Sequence, residues 1–160
     1  MKKDILKLLS ENPRLTDHEL SVMLDLPEAE VSDAIRSLEH DGIIGGYRAI
    51  VDWSRIEEVE QVTALIELKV TPRHDTGFDE IAKEILEFDE VDAVYLMSGA
   101  YDFAVYVTGR SIQDIAMFVA RRLSPLDSVI STATHFVLKR YKDSGIILTQ
   151  NEEDERGIIS

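Results

Sequence analysis

The side chains able to do chemistry fall into two groups well separated along the chain. The first is Ser32, Asp33 and Arg36, spaced to share one face of a helix, followed by Tyr47 and Arg48 just after a Gly-Gly pair. An arginine can grip guanine bidentately, a serine can bond base or phosphate, and an aspartate can accept from cytosine N4. Tyr47 and Arg48 can touch phosphates. The set suits contact with double-stranded DNA. The second group is Gly99-Ala100-Tyr101-Asp102, with Thr132 and Thr134 further on. Gly99 and Ala100 leave room for backbone N–H groups to hold a carboxylate. Asp102 can hold an α-ammonium group, Tyr101 can cover an apolar part, and the threonine hydroxyls can complete a polar pocket. The same residues also suit a plain hairpin, with Gly for positive φ and Asp bonding its own turn. Thr132 and Thr134 equally suit a strand that favours β-branched side chains.

Other chemistries find little support. There is no cysteine, which excludes disulfides and thiolate-bound zinc. His18, His40, His74 and His135 are scattered without metal-ligand spacing, and His135 suits a packed or interface position. Glu57, Glu58 and Glu60 read as a solvated run rather than an acid/base pair. No Gly-rich phosphate loop, Gly-x-Ser-x-Gly or His-Glu-x-x-His motif occurs. The expectation is a protein that is no enzyme and carries no metal and no cofactor.

The elements that must position the two groups follow from hydrophobic period. Ile5, Leu8 and Leu9 mark a short helix ended by Asn12-Pro13. Thr16 and Glu19 form a capping box opening a second helix, with Leu20, Met23 and Leu24 as its buried stripe. Asp25-Leu26-Pro27 is a turn. A third helix begins near Pro27, buries Val31, Ile35 and Leu38, and stops at Asp41-Gly42. Residues 43–51 read as two short strands around Gly45-Gly46, a hairpin wing. Residues 52–61 are polar and acidic and look like a linker, with Trp53 placed to pack the wing against a partner.

From residue 62 the period changes. Val62, Ala64, Ile66, Leu68 and Val70 alternate along a strand with one solvated face. Phe78, Ile81, Ala82, Ile85 and Leu86 stripe a helix. Val91 to Ser98 and Asp102 to Thr108 are strands joined at Gly99-Ala100-Tyr101. Ile112, Ile115, Ala116, Val119 and Leu123 mark another helix, and Val129 to Tyr141 a long last strand on which Thr132 and Thr134 share a face with Ile130, Phe136 and Leu138. Residues 145–149 suit an edge strand or a partner contact. The order β-α-β-β-α-β is the ferredoxin-like arrangement. The fold class is therefore α+β, with a winged helix-turn-helix over 1–51, a linker over 52–61, a ferredoxin-like domain over 62–149, and an acidic tail over 150–160.

Two small domains in 160 residues are each marginal alone, so oligomerisation is an expected remedy. No signal-peptide core opens the chain and no apolar run approaches about 18–20 residues, so the expectation is a cytoplasmic protein with no membrane partner. The net charge is −14, and residues 1–50 hold six basic against ten acidic side chains, a net −4. Acid near phosphate repels, so the expectation is a DNA affinity that is low or strongly salt-dependent, with multivalency in an oligomer able to offset weak single contacts.

Four segments carry a family resemblance: Asp4-Ile5-Leu6-Lys7-Leu8-Leu9 with Asn12 and Arg14; Leu38-Glu39-His40-Asp41-Gly42-Ile43-Ile44 with Gly46-Tyr47; Ser98-Gly99-Ala100-Tyr101-Asp102; and Thr132-Ala133-Thr134 with Val137-Leu138-Lys139. In this order the chain resembles the Lrp/AsnC, or feast/famine, transcription regulators over residues 4 to about 142. The resemblance implies a homodimer joined sheet to sheet, dimers joined into larger rings, and an amino acid or related metabolite bound near the Gly-x-Tyr-Asp turn as effector. A second reading is a metabolite-binding oligomer of the same fold that acts through a protein partner. Siroheme decarboxylases share a similar architecture and bind their tetrapyrrole with basic and histidine residues, whereas Gly45 to Ile56 offers only Arg48 and Arg55.

Overall fold

A computed structural model describes residues 1–72, 74–75 and 77–149; the acidic run Glu152 to Glu155 lies outside them. The chain divides into two compact units, Met1–Ile50 and Val51–Ser160.

The first unit is three helices, α1 (Lys2–Glu11), α2 (Asp17–Leu24) and α3 (Glu28–His40). Their core is Ile5, Leu9, Leu20, Val31, Ala34 and Leu38. The α2 capping box forms: Glu19 N donates to Thr16 Oγ1 at 3.2 Å and Thr16 N to Glu19 Oε2 at 2.8 Å. Asp25 then takes a left-handed conformation at φ 53, which fixes the angle at which α3 leaves α2. Met23 is 57% exposed, while Ser21 is buried with its hydroxyl bonded to His18 O, so α2 buries a narrower stripe than the period predicts.

The wing hairpin expected over 43–51 does not form; no strand is present there. Gly42 at φ +69 reverses the chain, and the Ile43 and Ile44 N–H groups both bond Leu38 O, at 2.9 and 3.0 Å. These donors cap α3 and are lost to a hairpin ladder.

The second unit is a four-stranded antiparallel sheet with strand order β2-β3-β1-β4: β1 (Val62–Val70), β2 (Val91–Leu96), β3 (Phe103–Gly109) and β4 (Val129–Phe136). Helices α4 (Gly77–Leu86) and α5 (Ile112–Phe118) cover one face. Ala64, Ile66 and Leu68 on β1 and Phe103, Val105 and Val107 on β3 pack there against Ile81, Ile85, Ile115, Phe118 and Leu123. Leu86 and Ile112, expected in the helix stripes, are mostly exposed. Helix α5 continues as a π-helical turn, Val119–Leu123, which shifts its buried set to Ile115, Phe118, Val119 and Leu123. The other face carries Leu65, Glu67, Tyr106 and His135, and Glu67 and His135 lie 3.4 Å apart.

Both edge strands are bulged. Asp92 on β2 is the extra residue between Val91, opposite Val107, and Ala93, opposite Tyr106. Ile130 on β4 is the extra residue between Val129, opposite Val70, and Ser131, opposite Lys69. The bulge turns Ile130 outward, 67% exposed, so it leaves the face that Thr132 and Thr134 share with Phe136. The last strand is shorter than expected, ending at Phe136, and Leu138 is 96% exposed. The chain then leaves the sheet, and Arg140 donates to Val51 O and pairs with Asp143 at 2.9 Å. A small hairpin follows, β5 (Lys142–Asp143) with β6 (Ile146–Ile147). Its turn residues Ser144 and Gly145 both have positive φ, as a tight two-residue hairpin demands. Residues 52–61 hold a 3-10 turn, Trp53–Arg55, and belong to the second unit. No helix among the described residues is long and apolar enough to cross a membrane.

Candidate DNA interface and ligand turn

Helix α3 is the second helix of the helix-turn-helix. Val31, Ala34 and Leu38 bury one side, which leaves Asp33 and Arg36 exposed on the other and Ser32 half-buried beside them. The structure thus gathers three of the five candidate DNA-contact residues on one helix, with Tyr47 nearby through Glu39 of the same helix. Arg48 follows, exposed.

Most of these groups already face a carboxylate of their own domain. The Ser32 hydroxyl donates to Asp17 on α2. Arg36 lies 3.6 Å from Asp33, one turn back. Tyr47 donates its phenol proton to Glu39 Oε1 at 2.9 Å. Burial, and then the Glu39 carboxylate, push the Tyr47 hydroxyl above the ordinary phenol value. An incoming phosphate or base therefore has to displace an internal acceptor before it gains a contact. The sequence singles out the candidate residues but not these partners, because Asp17 reaches Ser32 and Glu39 reaches Tyr47 only through tertiary packing and the chain reversal at Gly42.

The candidate ligand turn sits at one end of the sheet. Gly99 and Ala100 are exposed, and Tyr101 and Asp102 are half-buried. Gly99 is outside the left-handed region, and a Cβ added there would meet nothing within 4 Å. Neither backbone strain nor packing requires a glycine here, so the positive-φ explanation for it does not hold. Asp102 has a structural duty. Its Oδ2 accepts from Val70 N at 2.9 Å, its N–H donates to Leu68 O at 2.8 Å, and its carbonyl accepts from Met97 N at 2.7 Å. Val70 N faces the β3 side of β1, beyond the last β1–β3 pair at Leu68 and Phe103, and the carboxylate supplies the acceptor that the ended ladder no longer offers.

Thr132 pairs with Leu68 and Thr134 with Ile66, so Thr132 lies at the same end of the sheet as Asp102, on the far side of β1. Both threonines share the helix-covered face with Phe136. Among the described residues no group of three His, Asp or Glu side chains is placed to hold a metal ion.

Residues 63–147 match the Lrp/AsnC ligand binding domain, and residues 1–44 match a winged helix-turn-helix DNA-binding domain. The chain belongs to the Lrp/AsnC family. Kinship over the whole length agrees. The chain is 45% identical over 157 residues to the uncharacterized HTH-type transcriptional regulator YugG of Bacillus subtilis, covering 98% of this chain and 95% of that one. It is 26% identical to the proline dehydrogenase transcriptional activator of Rhizobium radiobacter, over 89% of this chain and 90% of that protein. Among solved structures, AsnC of E. coli superposes with a TM-score of 0.64 at 23% identity, covering 87% of this chain and 91% of its own. A transcriptional regulator of Neisseria meningitidis in complex with L-Met superposes with a TM-score of 0.70 at 24% identity, covering 93% and 96%. This Lrp/AsnC chain is thus a helix-turn-helix transcriptional regulator with an α+β fold, a winged helix-turn-helix unit followed by a ferredoxin-like ligand-binding domain.

Proposed function

We propose that this regulator binds operator DNA through the exposed side of α3, with Ser32, Asp33 and Arg36 facing bases and Tyr47 and Arg48 facing phosphates. A free amino acid bound at Gly99-Ala100-Tyr101-Asp102, completed by Thr132 and Thr134, sets its affinity. The observation that supports the effector half is Gly99: its conformation and surroundings impose no glycine, and the backbone of the turn is left open to approach. One oxygen of Asp102 serves Val70 N, and the other is the acceptor offered to an ammonium group. The protein acts as a homodimer joined through the sheet face that carries Leu65, Tyr106 and His135, and dimers assemble further; doubled sites offset weak single contacts. No catalytic group, metal or cofactor enters this reading, and the place of action is the cytoplasm.

The engaged state of Ser32, Arg36 and Tyr47 favours one other reading, an oligomer of this fold that has lost DNA affinity and acts on a protein partner. Binding of the purified protein to its own upstream DNA, at low and physiological salt and with a panel of amino acids, separates the two. Salt-sensitive, sequence-specific binding shifted by one amino acid is the expected result. No binding at low salt, with an amino acid still raising the melting temperature, overturns the DNA half and leaves the sensing half standing.

A further inference from the structure

The start of α2 lies along the reading row of α3. Glu28, Ser32 and Arg36 follow one another at intervals of four residues and share one side of α3. Two of them are met from α2: Asp17 accepts from the Ser32 hydroxyl, and His18 Nδ1 lies 3.0 Å from Glu28 Oε2. In a helix-turn-helix the first helix of the pair crosses the phosphate backbone while the second enters the major groove. His18, in the first turn of α2 and 73% exposed, therefore stands where that backbone passes.

Glu28 decides what the imidazole can do there. A carboxylate only accepts hydrogen bonds, so the ring nitrogen that faces it carries the proton. In neutral His18 this puts the N–H at Nδ1 and leaves Nε2 a bare lone pair, without a partner among the described residues. A lone pair repels a phosphate oxygen, as does the carboxylate beside it. One added proton changes both, because Nε2 becomes a donor and the charge of the ring offsets Glu28. The charged groups about the ring are all acidic: Glu28 on α3, and Asp17 and Glu19 on α2. Asp17 is taken up by Ser32 and Glu19 by the Thr16 N–H. The cation of the row itself, Arg36, already lies 3.6 Å from Asp33. A phosphate arriving at this edge meets carboxylates unless His18 is charged.

We infer that His18 is a phosphate contact of the DNA complex that forms only with the doubly protonated imidazole, so that DNA binding takes up a proton. Histidine is the side chain whose charge changes near neutral pH, and a phosphate beside it favours the charged form. The inference rests on DNA binding by the exposed side of α3 and adds to it a residue from α2, gated by pH through Glu28.

Fluorescence anisotropy of the full chain with its own upstream DNA, at constant ionic strength from about pH 8 down to about pH 5.5, tests this. The affinity of the parent is expected to rise at least about tenfold across that range, the worth of one hydrogen bond between charged partners. His18→Gln keeps a donor for Glu28 but takes no charge, so it should lose the rise. His40→Gln, at the other histidine of this unit, should keep the rise in full. His18→Lys should bind at about pH 8 as tightly as the parent does at about pH 5.5. Nitrogen NMR of the free protein is expected to show the neutral His18 ring with its proton on Nδ1. A rise that is equal in the parent and in His18→Gln, or a neutral ring protonated on Nε2, overturns the gate while DNA binding stands. No binding at any pH or salt overturns it together with the proposed DNA interface.

Discussion

Asp102 offers the sharpest test because one carboxylate oxygen serves the fold, while the proposed ammonium contact calls on the other. Replacing it with alanine removes the acceptor of Val70 N, a buried position at the end of β1. A buried donor left unsatisfied costs about 1–3 kcal/mol. In a unit of this size each kcal/mol moves the midpoint by roughly 4 °C, so Asp102→Ala should melt roughly 4–12 °C lower. Asp102→Asn keeps a carbonyl acceptor for Val70 N and gives up the charge assistance, about half the worth of the bond. It should therefore melt less than halfway down to the alanine variant, yet lose the effector's ammonium contact as fully as alanine does. Scanning calorimetry of all three proteins, at one fixed concentration because assembly shifts the midpoint, reads the stability. Repeating the scans with the responsive amino acid reads the ligand term. If Asn melts as low as Ala, or Ala melts with the parent, the Val70 bond is not what the side chain contributes. If Asn keeps the full ligand shift, Asp102 does not hold the ammonium.

Asp33→Lys frees Arg36 and adds a cation, so DNA binding should tighten and the slope of log affinity against log salt should steepen by about 1, read by fluorescence anisotropy across a salt series. An unchanged slope means that α3 does not face the backbone. The raised Tyr47 hydroxyl has a definite sign: the neutral phenol is favoured in the fold, so the stability it confers is complete below about pH 10 and is lost as pH rises through the higher folded value. Glu39→Gln should bring the Tyr47 titration, followed by ring NMR, only part of the way back, because burial is the larger cause. Glu19 titrates below the usual carboxylate range, chiefly through the Thr16 N–H. The capping box is therefore intact above about pH 4.3 and fails as pH falls through the depressed value, visible as lost α2 amide protection. Ser111 caps α5 by accepting from Asp114 N at 3.0 Å, so Ser111→Ala should lose about 1 kcal/mol in a denaturant titration.

Element type was legible wherever period and a local signal agreed. The alternation Ala64, Ile66, Leu68, Val70 gave the central strand and its buried face, and Thr16 with Glu19 gave the start of α2. What stayed hidden depends on residues distant in the chain. Residues 43–50 have the composition of a hairpin, but their first donors are captured by Leu38 O, a choice that only the end of α3 can dictate. The strand from Val129 keeps its apolar character through Leu138, yet the chain leaves the sheet and Arg140 donates to Val51 O, 89 positions away. At the sites, the residue types announced acceptors and donors. The internal partners Asp17, Glu39 and Val70 N are set by packing, and no spacing rule reports them.

The two bulges have a consequence for solubility. A sheet with free rims invites further strands to add, and an acidic chain at high concentration is not immune to that route. Here both rims are broken at one point, by Asp92 on one side and Ile130 on the other, while the interior pair β1 and β3 runs in unbroken register from Val62 to Leu68. Another backbone laid along either rim would fall out of step at the extra residue. Open-ended, fibre-like stacking through the rims is thereby discouraged, which leaves the broad sheet surface as the better place for two copies to meet and close.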